Sequence, residues 1–283
     1  MSTVRSIREI LTGKPTLEGA GVRLRRIFGN TTEARLMDPF LLLDHFGSDN
    51  PDDYLAGFPW HPHRGIETIT YMIEGEVEHG DSLGNRGVIG SGDIQWMTAG
   101  SGIIHQEMPQ RYTGTMRGLQ LWANLPAKNK MMPPRYRDVL GEQVPQVMLG
   151  EVKIKVIAGE IEGTSGAVEN IVIDPAYFDV IVPLHGSFSL PVKHDHTAFA
   201  YVLEGTGFFD EERKVRIDSG HLALFDEGES ISVSTGDEPV RFIFVSGKPL
   251  REPIAWGGPI VMNSDEELEL AFREYREGTF IKG

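Results

Sequence analysis

Two short motifs hold the residues best suited to chemistry. His61-Pro62-His63 and His105-Gln106-Glu107 each place two metal-ligating side chains at alternate positions. Alternate side chains on a β-strand share a face. Two neighbouring strands would therefore aim three imidazoles and one carboxylate into one space. That donor set suits a divalent first-row ion such as Fe(II), Ni(II), Zn(II) or Cu(II). A six-coordinate ion would keep two positions open for water, dioxygen or a bidentate substrate. The plainer reading is polar loop residues at a sheet edge. Two same-face pairs framing one strand-rich segment favour the metal.

The elements that must position these residues are short strands. Val22 to Phe28 partly alternates, and Asp38-Pro39 and Gly47 bracket the apolar run Phe40-Leu41-Leu42-Leu43, read as a buried strand. A polar loop from Ser48 to Trp60 delivers the first histidines. Ile66 to Glu74 is rich in β-formers. A turn-rich hairpin follows at Gly80 to Gly87, then Ile94 to Met97, a Gly-Ser-Gly turn, Ile103 to His105, and Leu119 to Leu125. The chain has 33 Gly and 17 Pro, which fits many turns between short strands rather than a helical bundle. The spacing predicts an all-β fold of the β-barrel or jelly-roll kind. Pro126 to Gln146, with Met131-Met132-Pro133-Pro134, cannot continue a central strand. The boundary between two domains, 1–135 and 136–283, is expected there.

Strands resume at Val152. Tyr201-Val202-Leu203-Glu204-Gly205 repeats the character of Tyr71-Met72-Ile73-Glu74-Gly75, and each leads through a hairpin to a strand-opening glycine, Gly220 or Gly92. The halves read as a diverged duplication. The second half has its own His194-Asp195-His196, but no counterpart of His105 and Glu107 follows Gly220, and its register to Tyr201 is odd where that of His61 and His63 to Tyr71 is even. A metal is expected in the first half only. Ser264-Asp265-Glu266-Glu267 is a capping box opening a short C-terminal helix, whose apolar stripe is Leu268, Ala271, Phe272 and Tyr275.

Other motifs read as structure. Gly80-Asp81-Ser82-Leu83-Gly84 fits a nucleophile-elbow pattern but joins two strands rather than a strand and a helix. Gly100-Ser101-Gly102 precedes a strand and so is a turn, not a phosphate cradle. His45 reads as a hydrogen-bonded core residue and His79 as exposed beside its hairpin. Trp60, Trp96 and Trp122 are candidates for a pocket wall or for core.

Composition narrows the function classes. Acidic residues outnumber basic ones, 41 to 27, for a formal charge of −14. Such a field repels phosphate backbones, and Arg23, Arg25 and Arg26 are too few for a basic patch, so direct nucleic-acid binding is not expected. With no cysteine, disulfides and thiolate chemistry are excluded. No signal-like or membrane-length apolar run is present, and a cytoplasmic location is the expectation.

The strings HPHRGIETITYMIEGEVEHGDSLGNRG and SGDIQWMTAGSGIIHQE resemble the pirin family of the cupin superfamily, as do DPFLLLDHFG upstream and PLREPIAWGGPIVMNSDEE near the C-terminus. The resemblance spans nearly the whole chain. It implies two tandem cupin β-barrels with one metal in the first, held by His61, His63, His105 and Glu107. One divalent metal per chain is expected, iron(II) first, with Ni, Zn, Cu or Mn as alternatives. Some family members resemble quercetin 2,3-dioxygenases, which would take a small aromatic or enediol substrate and dioxygen, with Glu107 as ligand, catalytic base or both. Others act as transcriptional cofactors or bind metabolic enzymes. The rival expectation is thus a non-catalytic, redox-responsive iron-binding regulator with a protein partner. Isomerase or hydrolase chemistry is a third, since cupin barrels host many reactions.

Overall fold

The structure, a computed structural model, describes residues 3–282. It is built of β-strands, two short α-helices and three short 3-10 turns among those residues. β1 (Ile7–Thr12) belongs to one compact unit, with residues Gln143–Pro249. The other unit runs from Lys14 to Glu142 and takes in the chain from Leu250 onward.

The second of these units carries β2 (Lys14–Glu18), β3 (Val22–Phe28), helix α1 (Thr31–Leu36), β4 (Phe40–Ser48), β5 (Phe58–His63), β6 (Ile66–Glu74), β7 (Val77–Asp81), β8 (Arg86–Ile89), β9 (Ile94–Thr98), β10 (Ile103–Pro109), β11 (Met116–Asn124) and β12 (Arg135–Val139). They form two antiparallel sheets, in the orders β12-β9-β6-β11-β4-β3-β2 and β5-β10-β7-β8. Inward positions alternate with outward ones. On β3, Val22 and Leu24 are buried while Arg23 and Arg25, which alternate with them, are exposed.

Two tight turns hold the histidine strand in place. Gly65 has φ +77, and a Cβ there would lie 2.0 Å from the Val261 carbonyl oxygen, so no side chain fits. Gly100 has φ +50 and is pressed as closely on the Met132 oxygen. These glycines let the chain pass directly from β5 into β6 and from β9 toward β10.

The compact units do not follow a linear division at 135/136. The prolines do keep Met131 to Pro134 out of a strand, but β12 resumes at Arg135 and pairs with β9 as an edge strand, Arg135 opposite Thr98. Pro is tolerated beside an edge strand, where no ladder bond is lost. At the far end, helix α2 (Asp265–Glu277) starts with the capping box, Ser264 and Glu267 bonding reciprocally, and ends at Gly278 with φ 73. Its Ala271 packs with Ile260, Met262 and Phe280, Leu268 and Phe272 flank that cluster, and Tyr275, 39% exposed, meets the Phe280 ring edge-on. The helix therefore belongs to the unit of the histidine motifs, not to the unit that precedes it in sequence.

The other unit has an interior closed by apolar side chains, among them Ile154, Val180, Ala200, Phe242 and Phe244. His194 and His196 lie just before the strand Thr197–Phe208. Their carbonyls accept bonds from the buried Arg5 guanidinium, at 3.2 and 2.8 Å.

Candidate metal centre

β5 and β10 are antiparallel neighbours with Ile103 opposite His63 and His105 opposite His61. Cross-strand partners share a face, and so do His61 and His63 two residues apart. The three rings therefore converge. Their centroids are 4.4 Å (His61–His105), 4.9 Å (His61–His63) and 5.0 Å (His63–His105) apart. One ligand nitrogen from each lies within 4.8 Å of the others, the one such cluster of three or more ligating groups among the described residues.

The hydrogen bonds around the rings show which nitrogen is free. His61 Nδ1 lies 2.8 Å from the Pro59 carbonyl oxygen and His63 Nδ1 3.0 Å from that of Pro259. A carbonyl only accepts, so each Nδ1 carries a proton, which in the neutral ring leaves the lone pair on Nε2. Those two Nε2 atoms face each other at 3.1 Å. Lone pair against lone pair is repulsive unless a cation sits between them. His105 Nε2 is buried with no protein partner. Burial pulls His63 down to about 3, helped by His61. It holds His105 well below the usual range too, with His63 and His61 adding to the effect. Neutral imidazole is the ligating form. The three histidines thus fit a divalent ion with nitrogen ligands at about 2 Å.

Glu107 faces the same space by a different route. It shares the inward face of β10 with His105, although the register to β5 slips between them so that Glu107 stands opposite Phe58. Its carboxylate is buried, and its Oε1 takes the Thr70 hydroxyl at 3.1 Å. Burial pushes this carboxyl up, against the pull of His61 and Thr70. The structure thus groups three of the four expected ligands and aims the fourth into their cavity.

That cavity is about 700 Å³ and lies between the two sheets. Apolar groups such as Val22, Leu42, Phe46 and Met116 form much of its wall. Trp122 lines it and meets His63 edge-on at 5.0 Å. Trp96 is instead buried, at 2% exposure, and Trp60 is 49% exposed. Trp256, Gly258 and Pro259 come to this wall from the segment before α2. They were not legible as site residues, since nothing local marks them.

One reading changes. His79 is buried at 2% exposure, not solvent-facing, because it alternates with Val77 and Asp81 on the inward side of β7. It stands opposite Glu107, and the Tyr136 hydroxyl reaches its ring at 2.6 Å. Arg26 and Asp44, not expected as site residues, also line the cavity. Asp81, in the hairpin motif, uses its carboxylate on the Leu83 and Asn85 amides, so that loop is a turn.

Comparison with known proteins follows the same lines. Residues 21–123 match the Pirin family and residues 177–281 the Pirin C-terminal cupin domain. The chain is 48% identical to a Pseudomonas aeruginosa protein with the provisional name quercetin 2,3-dioxygenase, covering 98% of this chain and 99% of that one. It is 44% identical to a pirin-like protein of Caulobacter vibrioides, over 98% and 99% of the two chains. The crystal structure of quercetin 2,3-dioxygenase from Acinetobacter baumannii superposes with a TM-score of 0.91 at 32% identity, over 98% of this chain and 99% of that one. A bacterial pirin from Escherichia coli, solved in complex with nickel(II), has the same fold at a TM-score of 0.66 and 20% identity, over 85% and 98%. With relatives matched nearly end to end and a cupin barrel in each half, the chain belongs to the pirin family.

Proposed function

We propose that this chain is a metal-dependent dioxygenase of the quercetinase type. His61, His63, His105 and Glu107 would hold one divalent ion, with iron(II) the first candidate. The observation that carries the reading is the convergence of bare Nε2 atoms, their Nδ1 hydrogens tied to carbonyls, on an apolar-walled cavity of about 700 Å³. That size suits a small organic substrate. The names of the Pseudomonas and Acinetobacter relatives point to the same chemistry.

A divalent ion here supplies positive charge that favours the oxyanion of an acidic ring hydroxyl. The protein does the rest. Glu107, its carboxyl pushed up by burial, is placed to take the proton of that hydroxyl. Thr70 holds the Glu107 carboxylate in position. Trp122, Phe46 and Leu42 wall the space with apolar surface and exclude water from the reacting ring.

The test is oxygen uptake by iron-reconstituted protein given quercetin, with His63→Ala as control. Uptake matched to quercetin loss and absent in the variant is the expected result. No uptake with iron bound would overturn the assignment and turn attention to a regulatory protein partner. A His63→Ala variant with full metal and full turnover would overturn the site.

A further inference from the structure

The cavity has a second polar feature, on the sheet that faces the histidine strands. β3, β4, β11 and β6 are consecutive neighbours in that sheet. Their registers set Arg26 opposite Asp44, Asp44 opposite Gln120 and Gln120 opposite Thr70. All four line the cavity. A continuous polar row thus crosses a wall that also carries Leu24, Leu42, Phe46 and Trp122. Three strand spacings separate its ends, about 14 Å along the sheet. Thr70, at one end, bonds Glu107.

The other end is an ion cluster. Arg26 Nε and Nη2 grip the Asp44 carboxylate at 2.9 and 2.8 Å, and Nη1 reaches Glu18 Oε1 at 2.7 Å. Asp44 is 5% exposed. A guanidinium has five N–H donors, and these bonds use three. Two donors and the outer lone pairs of Asp44 remain for a ligand. An ion pair in a barrel interior is a poor device for stability alone, because desolvation offsets the attraction. It is a good device for recognition, because both partners are already held in place. One cation against two carboxylates leaves the cluster negative, so it favours a neutral hydroxyl over a carboxylate.

We propose that Arg26 and Asp44 are the specificity-determining pair of this cavity and bind the hydroxyl-bearing far end of an elongated planar substrate whose reacting end lies at the histidines. A ring hydroxyl donates to Asp44, and a neighbouring oxygen accepts from Arg26. The substrate class is a polyphenol with hydroxyls on its distal ring, not a two-carbon acid too short to span the row. The placement of the reacting end rests on the dioxygenase reading, whereas recognition at Arg26 and Asp44 needs no turnover.

The experiment is isothermal titration calorimetry without dioxygen, on the full-length protein. The ligands are quercetin and galangin, flavonols that differ only in two hydroxyls on the distal ring. Wild type should bind quercetin about tenfold more tightly, as loss of a hydrogen bond to a charged group predicts. Asp44→Asn should bring the two within about twofold, with the loss falling mainly on quercetin. Arg26→Lys keeps the charge but loses the fork, and it should lower the preference in the same way if Asp44→Asn does not fold. Equal binding of both ligands by wild type, or an equal loss for both in a folded variant, would overturn the proposal. A protein that shows the preference yet consumes no oxygen would separate this inference from the dioxygenase reading.

Discussion

Thr70 Oγ1 lies 3.1 Å from Glu107 Oε1, and this bond ties one sheet of the barrel to the other. Thr70 is on β6 of the larger sheet, Glu107 on β10 of the smaller. Gln120 Oε1 is 2.8 Å from the same hydroxyl. One hydroxyl proton cannot serve two acceptors. Given to Glu107, it leaves Thr70 to accept from a Gln120 amide turned to present its nitrogen. Thr70→Val should keep the shape and lose the anchor. Metal affinity should fall at least about tenfold, as loss of a bond behind a ligand typically costs, with little change in melting temperature. Competition against a chelator of known affinity measures it. Unchanged affinity in a folded variant would mean that Thr70 does not hold a metal-binding Glu107.

Metal removal should lower stability. An ion bound only by the folded state, at a hundred times its dissociation constant, adds about 2.7 kcal/mol. Differential scanning calorimetry of loaded and chelator-treated protein should show a clear drop in melting temperature. His105→Ala should melt at one temperature with or without the ion, because its Nε2 has no other partner in the protein. A variant still stabilised as strongly as wild type would place the ion elsewhere.

Lys130 should impose a pH dependence on folding. Its Nζ is buried against the Gly65 oxygen, Asn124 Oδ1 and the Val261 oxygen at 2.9, 2.6 and 2.9 Å. Burial pulls it down to about 7, opposed by Glu252 and Glu267. The folded chain then binds fewer protons than the unfolded one between about pH 7 and the 10.5 of a free lysine. Stability contributed by this group rises with pH across that window. The gap between wild type and Lys130→Met, followed by urea denaturation, should move in favour of wild type from pH 7 to pH 10. A gap independent of pH would show that Lys130 stays charged throughout.

Arg64 holds the C-terminal helix beside the histidine strand. It is 2% exposed, pairs with Glu274 at 2.7 Å, donates to the Phe280 oxygen at 2.8 Å and stacks 4.2 Å over the Phe280 ring. Breaking a buried pair from one side is costly, and Arg64→Ala should lose about 3 kcal/mol in denaturant unfolding. Amide exchange should rise first in α2. Uniform exchange with no loss of stability would deny Arg64 this role.

The histidine pairs were legible because a strand has a period of two, so H-x-H and H-x-E put their side chains on one face without further information. The same period sets His79 on the inward face with Val77, against the exposed position expected of a residue beside a hairpin. Arg26 read as one of three arginines in a strand-like run. Alternation puts it on the inward face with Val22 and Leu24, and the register to β4 slips only after it; what no local pattern signals is that its partner on β4 is Asp44.

Local chemistry settles local structure, and the sequence therefore determined the strand-rich character, the ligand-bearing strands and the capped C-terminal helix. Each rests on spacing within a few residues. Tertiary structure alone decided which partners those elements met. It brought Pro259 to His63 across 196 residues of chain, set Trp256 in the cavity wall and laid Arg26, Asp44, Gln120 and Thr70 in one row. The physical reason is that backbone pairing and burial act between segments far apart in the chain, and their register is chosen by the packing of the whole unit.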